Sequence, residues 1–328
     1  MKPQDFRLRQ SIITFVLLMS FVGCSVPTTP TNFPVATSLP VTRALTPTPI
    51  PTPNFTLTSS PVPPTDTPRP TWTPMPPTLT AAPTLTTDKE GALVLGLLQN
   101  NAGCQLPCWW GFTPNKTAWQ VAKTFFASLG KAMNETGRSY VSYEVEFSIA
   151  KHNIQISQEY AVVNDTIDMI WVGAGTVRNA EAIFGDPLFA QDLRQYMLPH
   201  VLNTYGQPEE ALIRAFRGAP SGGWTPFHLM LFYPQQGILI NYQGPSETKG
   251  TQIQWCPSKT NISLWLWSPD RKFTLEEIAR HGPNLSVEEL HAYRRLDEAT
   301  GMNVEEFYTT FTNANNRICI ETPANMWP

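Results

Sequence analysis

The sequence is poor in positive charge, with 23 lysines and arginines against 26 aspartates and glutamates and a net charge of -3. A surface that binds nucleic acid would be basic, so this balance excludes nucleic acid as an expected partner. The chain also lacks a glycine-rich phosphate loop, a calcium loop and a His-Glu-x-x-His motif, and we predict neither a cofactor nor a metal. Its five histidines are scattered along the chain: His152, His200, His228, His281 and His291.

The N-terminal residues have the form of an export signal. Lys2, Arg7 and Arg9 precede an apolar run, Ile12 to Val22, that is too short to span a bilayer comfortably. The run ends in Phe21-Val22-Gly23-Cys24, which resembles the lipobox of bacterial lipoproteins, although Phe21 stands where that class usually has leucine. The resemblance implies cleavage after residue 23 and lipidation of Cys24. The alternative is an ordinary secretory signal that ends near a cysteine.

Either interpretation places the protein outside the cytoplasm. Residues 1–23 carry three basic residues and one acidic residue, so their removal takes the net charge from -3 to -5. A chain this acidic has no electrostatic attraction to anionic lipid. We therefore expect the membrane to be reached through the acyl chains on Cys24, and we predict an extracytoplasmic, membrane-anchored lipoprotein of the cell envelope or cell surface.

Residues 24–87 are predicted to form a disordered Thr/Pro-rich linker. Residues 25–87 hold 17 of the chain's 32 prolines and no glycine, and their charged residues are Arg43, Asp66 and Arg69. Such a segment buries little apolar surface and has few backbone donors to pair, so it favours an extended, polyproline-like stalk. The stalk is either a device that projects a folded head from the membrane or a passive linker.

Four cysteines remain after Cys24, namely Cys104, Cys108, Cys256 and Cys319. An even number in an oxidising compartment indicates two disulfides, for which three pairings exist. We favour Cys104 with Cys108, around the turn at Pro107, and Cys256 with Cys319. A four-cysteine zinc site is the rival interpretation, but the spacing is poor for zinc.

The fold is predicted to begin near Asp88 and to be α+β. Thr87–Glu90 and Thr117–Gln120 have the form of capping boxes that start two helices, the second with Val121, Phe125 and Leu129 on one face. Alternating apolar residues between Tyr140 and Val172 then predict an antiparallel meander.

A second half repeats this order. We predict a helical piece over 177–184, a short helix over 198–205, and strands over 211–216, 227–233, 237–242, 251–256 and 262–267. The head therefore comprises residues 88–268, in two helix-plus-meander halves of about 88–175 and 176–268. Residues 269–328 are predicted to be a helical cover, because Thr274, Ser286 and Asn303 each precede a glutamate by three positions.

Two resemblances follow from these motifs. The run Cys104 to Pro114, followed by a helix that starts with threonine, resembles a group of Chloroflexi-type lipoproteins with Thr/Pro stalks, which implies an envelope location and no particular activity. The helix that ends in Gly206-Gln207-Pro208 before a meander is similar to small envelope-assembly lipoproteins and to tandem-repeat β-lactamase inhibitor proteins. This second resemblance implies architecture alone.

Tryptophans supply the candidate binding residues. Trp265 and Trp267 alternate in a strand and share one face, opposite Leu264 and Leu266. They are either core residues under the C-terminal helices or, with Trp224, a stacking platform for a glycan or peptide. We predict no catalytic residue.

The function we expect is therefore that of a non-enzymatic binding module for an envelope protein or glycan. One alternative is an envelope hydrolase, because a catalytic triad assembles from distant residues and needs no local motif. Such an enzyme would have a deep polar cleft with converging histidine and carboxylate groups. The other alternative is a structural spacer, which would have neither a cleft nor an exposed aromatic patch.

Overall fold

The computed structural model describes residues 85–137, 141–179, 181–218, 224–312 and 318–328. These residues form an α+β fold with eight α-helices and one antiparallel sheet of twelve strands, which confirms the predicted class. The predicted signal peptide, Cys24 and the Thr/Pro-rich segment up to residue 84 lie outside the described residues. Within the described ranges, no helix is both long and apolar enough to cross a membrane.

The first half consists of two helices followed by four consecutive strands. They are α1 (Thr87–Asn100), α2 (Trp119–Ser128), β1 (Asn134–Gly137), β2 (Val141–Ile149), β3 (Ile154–Val163) and β4 (Thr166–Arg178). Each strand pairs antiparallel with the next. Strands β2, β3 and β4 are the predicted meander, and β1 adds a strand that was not predicted.

The second half repeats the plan with further short strands. Its elements are β5 (Glu181–Ile183), α3 (Pro187–Asp192), α4 (Leu198–Tyr205), β6 (Glu210–Ala215), β7 (Thr225–Tyr233), β8 (Ile238–Lys249), β9 (Gln252–Trp255) and β10 (Asn261–Trp267). Strands β6, β7 and β8 form a meander, and β10 pairs with β8.

The two halves join edge to edge in one sheet of order β1-β2-β3-β4-β10-β8-β7-β6. The contact is made by β4 and β10, with Trp171 opposite Trp265. Because successive residues of a strand point to opposite faces, each strand supplies two layers of side chains. We call the face that packs on α1, α2 and α4 the inner face, and its opposite the outer face.

The inner face carries the larger apolar core, in which most members are fully buried. It includes Leu98, Phe126, Ile156, Val172, Val201, Leu231, Ile240, Leu264 and Phe307. The outer face carries a smaller core under the C-terminal segment, with Met169, Met230, Leu239, Trp265, Trp267, Ile278, Leu285 and Leu290. As predicted, Leu264 and Leu266 of β10 lie on one face of the sheet, the inner face, and Trp265 and Trp267 lie on the other.

The C-terminal segment covers both faces, because it crosses the edge of the sheet. Its elements are α5 (Leu275–His281), α6 (Val287–His291), β11 (Arg294–Arg295), α7 (Leu296–Thr300), α8 (Val304–Thr312) and β12 (Ile320–Pro323). Residues of α5 and α6 belong to the outer core, whereas Leu296 and Phe307 belong to the inner core. The crossing is made at β11, which pairs with β6.

The three predicted caps of this segment are confirmed. Thr274 and Ser286 form reciprocal capping boxes with Glu277 and Glu289. Asn303 accepts a hydrogen bond from the Glu306 backbone N–H, and the Glu306 carboxylate accepts one from the Asn303 N–H. These helices are short, so their ends contribute a large share of their stability.

The two disulfides join the predicted partners, Cys104 to Cys108 and Cys256 to Cys319. The turn that carries the first is held by the buried Asn101. Its amide donates to the carbonyl oxygens of Cys104 and Cys108 at 2.9 and 2.8 Å and accepts from the Trp110 N–H at 2.8 Å. Two disulfides are compatible with an extracytoplasmic location.

Two predicted helix starts are wrong. Helix α1 begins one residue early, after Thr86, and α2 begins after Ala118, in both cases without a side-chain cap. At α2 a tertiary contact replaces the cap, because the backbone of Thr117 accepts from Ile167 at 3.0 Å. The face of α2 is turned accordingly, and Val121 is 57% exposed.

The helical piece predicted over 177–184 is also wrong. These residues extend β4 and turn back as β5, with Val177 opposite Ala182. Asn179 has φ of +53°, a left-handed conformation typical of tight hairpin turns. The predicted boundary between the halves, at residues 175 and 176, consequently falls inside β4.

Candidate functional site

Two tryptophans of the predicted platform are buried under the C-terminal segment. Trp265 and Trp267 are 2% and 0% exposed. Their indole N–H groups donate to the carbonyl oxygens of Pro283 at 2.6 Å and Arg271 at 3.1 Å. Both indoles therefore anchor the segment that includes α5, so of the two alternatives they are core residues under the C-terminal helices and not part of an exposed platform.

Trp224, the third predicted platform residue, is 36% exposed. Its ring packs edge-on against Phe184, with 4.6 Å between the centroids. Trp224 directly precedes β7. Strand alternation, continued by one residue, places it on the same side of the sheet as His228, the outer side.

Beyond α5 and α6, the outer side of the sheet changes from apolar to polar. We define the polar outer face as Gln155, Ser157, Trp171, Gly173, Gly175, His228, Asn241, Gln243, Asn261 and Ser263. All of them are half-buried or exposed except Asn241, which is buried. Five neighbouring strands supply these residues, so the face lies across the junction of the two halves.

The strand register arranges this face in rows. Ser157 lies opposite Gly173, Gly173 opposite Ser263, and Ser263 opposite Asn241. In the next row Asn261 lies opposite Gln243, and Gln243 opposite His228, while the Asn261 side chain reaches over Gly175. Small residues therefore alternate with amides and hydroxyls across the centre of the sheet.

Trp171 lies on this face, and glycine makes room for it. A Cβ added at Gly173 would lie 2.8 Å from Cη2 of the Trp171 ring, so the indole rests directly on the glycine backbone. The ring is half-buried, and no described residue accepts a hydrogen bond from its buried Nε1. Sequence reasoning missed Trp171, although Trp171, Gly173 and Gly175 alternate at the strand period and so share a face.

Asn241 lies on the floor of the face and is only 7% exposed. Its Nδ2 lies 3.3 Å from Nδ1 of His228, while no described residue donates to its Oδ1. Burial, with the Arg214 guanidinium nearby, lowers the pKa of His228 to about 4. The imidazole is therefore neutral near pH 7, and its Nδ1 accepts from the Asn241 amide.

Charged groups lie at the margins of this face. On one side the Glu144 carboxylate accepts a hydrogen bond from the Ser157 hydroxyl at 3.1 Å. On the other side the Arg214 guanidinium packs over the Phe216 ring at 4.7 Å. There the face adjoins a cavity of about 240 Å³ lined in part by Arg214, Phe216 and Tyr293.

A histidine and a carboxylate do converge elsewhere, as a hydrolase would require. Nδ1 of His152 lies 2.6 Å from Oδ2 of the buried Asp192, whose Oδ1 accepts from Gln99 at 3.0 Å. The pair adjoins a cavity of about 270 Å³ that Ser148 also lines. No serine, threonine or cysteine of the described residues hydrogen-bonds to His152, and the pair ties α1 and α3 to the β2–β3 turn.

No cluster of three or more metal-ligating side chains occurs in the part of the chain that the structure describes. No family model, curated protein or solved structure matches the chain. The candidate site is therefore the outer side of the sheet itself.

Proposed function

We propose that the protein is a lipid-anchored binding protein of the cell envelope that recognises its ligand with the polar outer face. The anchor is proposed from the resemblance of Phe21 to Cys24 to a lipobox, and the envelope location is supported by two disulfides. The Thr/Pro-rich segment would then hold the head away from the membrane. The net charge of -5 after cleavage supports a ligand other than nucleic acid.

One observation carries the proposed site, namely the unpaired acceptor of Asn241 among half-buried and exposed polar residues. A buried polar atom without a partner costs about 1–3 kcal/mol. The described residues hold six such atoms, of which Asn241 Oδ1 is the one acceptor, and each calls for an explanation such as a bound water or ion. On β8 the next outer-face residue toward the helical cover, Leu239, belongs to the outer core, so the strand changes from apolar to polar at Asn241.

The anchor is tested by labelling producing cells with a radioactive fatty acid. Wild-type protein should carry the label and sediment with membranes, and Cys24→Ala should do neither. Unlabelled, soluble wild-type protein would overturn the anchor and leave the binding face untouched.

The binding face is tested by a photoreactive phenylalanine at Ser263 of the full chain, in cells that make the protein naturally. The matched control is the same residue at Ser128, which is exposed at the end of α2 on the opposite side of the sheet. A discrete higher-mass adduct at Ser263 and none at Ser128 is expected. No adduct, or the same adducts at both positions, would contradict the proposal and favour a structural spacer.

A further inference from the structure

The polar outer face offers hydrogen bonds without charge. Its amides are Gln155, Asn241, Gln243 and Asn261, and its hydroxyls are Ser157 and Ser263. An amide presents a donor and an acceptor side by side, and a hydroxyl presents both at one atom. The natural counterpart is a ligand that also carries donors and acceptors in pairs, such as neighbouring hydroxyl groups on a ring.

The stacking surface of this face is a single indole. The benzo end of the Trp171 ring rests on Gly173, with Ser157 and Ser263 on the two neighbouring strands at the same level. A second aromatic pair, Phe184 and Trp224, stands beyond the start of β7. A pyranose ring fits this arrangement, because its C–H groups form an apolar face while its hydroxyls project at the edges.

Two of the charges at the margins already have partners within the protein. The Glu144 carboxylate accepts from Ser157, and the Arg214 guanidinium covers Phe216. An anionic chain would lie beside Glu144 and Glu146, and the Glu159 carboxylate, opposite Trp171, is buried and already accepts a hydrogen bond from Ser142 at 2.7 Å. A peptide strand would need unpaired backbone groups, whereas the strands of this face are paired on both sides.

We propose that the ligand of the polar outer face is an uncharged oligosaccharide chain that stacks one sugar ring on Trp171. Hydroxyls of this chain hydrogen-bond the flanking serines and amides. This inference rests on the proposed function, because it names the ligand class of the same face.

The test uses the full acylated chain in a detergent without a sugar head group, labelled with 5-fluorotryptophan. Fluorine NMR reports the ten tryptophans, and the Trp171→Phe variant identifies the signal of interest. The probes are neutral hexasaccharides of glucose, mannose, galactose and N-acetylglucosamine. Hexagalacturonate and hexaglucosamine serve as anionic and cationic counterparts.

We expect at least one neutral hexasaccharide to shift the Trp171 signal saturably and to bind more tightly than both charged chains. Ser263→Arg should weaken that binding by about tenfold or more, while Ser128→Arg leaves it unchanged. Gln243→Glu keeps the side-chain shape and should also weaken the binding. This second variant shows the loss of binding even if Ser263→Arg fails to fold.

The assignment is overturned if no neutral chain shifts Trp171 at about 10 mM, the weak end of measurable affinity, or if a charged chain binds more tightly. The crosslinking result separates the two proposals. An adduct at Ser263 without any shift by a neutral sugar would show that the face binds something else. If both results are negative, the binding face itself fails.

Discussion

The two ends of the outer side of the sheet are built from the same strands but have different partners. On β10, Trp265 and Trp267 are sealed under the C-terminal segment, whereas Ser263 and Asn261, two and four residues before Trp265, remain open. The change from indole to hydroxyl and amide coincides with the end of the helical cover. An apolar row needs a protein cover, and a polar row with an unpaired acceptor is suited to an outside partner.

The largest effect should come from the covered end. Trp267→Ala empties a fully buried site and should lower the free energy of unfolding by about 3–5 kcal/mol. Trp224→Ala, at the open end, should cost less than about 1 kcal/mol. Denaturant unfolding followed by circular dichroism measures both. Equal losses would mean that the two ends do not differ in packing.

Acid should destabilise the open end through His228. The unfolded imidazole binds a proton near pH 6.5, but the folded one does so only near 4, so acidification favours the unfolded chain. The free energy of unfolding should be constant above about pH 6.5 and fall by up to about 3 kcal/mol as the pH drops to 4. Stability measured against pH for wild type and His228→Gln checks this.

The slope between pH 6.5 and 4 should flatten in His228→Gln. The exposed His200 provides the control, because His200→Gln should leave the slope as it is. An unchanged slope in the first variant would show that His228 is not the group responsible.

At Gly173, in the open end, a larger side chain should destabilise the fold. Gly173→Ala places a Cβ against the Trp171 ring and should cost about 1–2 kcal/mol while displacing the indole. Gly96→Ala in α1 meets no atom within 4 Å and should instead stabilise the protein by about 0.5–1 kcal/mol. Unfolding curves and the fluorine signal of Trp171 report the two effects. A neutral Gly173→Ala with an unmoved signal would contradict the packing of this ring.

The helical cover depends on its caps. Ser286→Ala removes the capping box of α6 and should lower the free energy of unfolding by about 1 kcal/mol. Ser128→Ala, an exposed serine that caps no N-terminus, should change it by less than about 0.5 kcal/mol. Thermal unfolding of the two variants provides the measurement. Equal shifts of the unfolding temperature would mean that the cap does not stabilise the helical cover.

Local patterns in the sequence predicted much of this architecture. Alternation identified the strands that bury one apolar side, and the caps at Thr274, Ser286 and Asn303 were correct because each depends on residues within one turn. The start of α2 failed because its first residues pair with the β3–β4 turn, far along the chain. The same limit applies to the join of β4 with β10, which no local pattern encodes.

The site shows this limit most clearly. The Trp-x-Trp pattern correctly predicted that Trp265 and Trp267 share a face. Long-range packing decides which face the C-terminal segment covers, and the pattern does not encode it. Trp171 carried a comparable signal, in its alternation with Gly173 and Gly175. This alternation indicates a binding face only when two further facts are known. The strand register places serines on both sides of Gly173, and the C-terminal helices do not extend over Trp171.

The most direct test of the binding face places the photoreactive residue at Ser157 and adds Ser263→Arg on the neighbouring side of Gly173. We predict a discrete adduct with Ser263 intact and its loss with Ser263→Arg, while the free energy of unfolding changes by less than about 0.5 kcal/mol. An adduct that survives the arginine, or none in either protein, would contradict the assignment of this face as the binding surface.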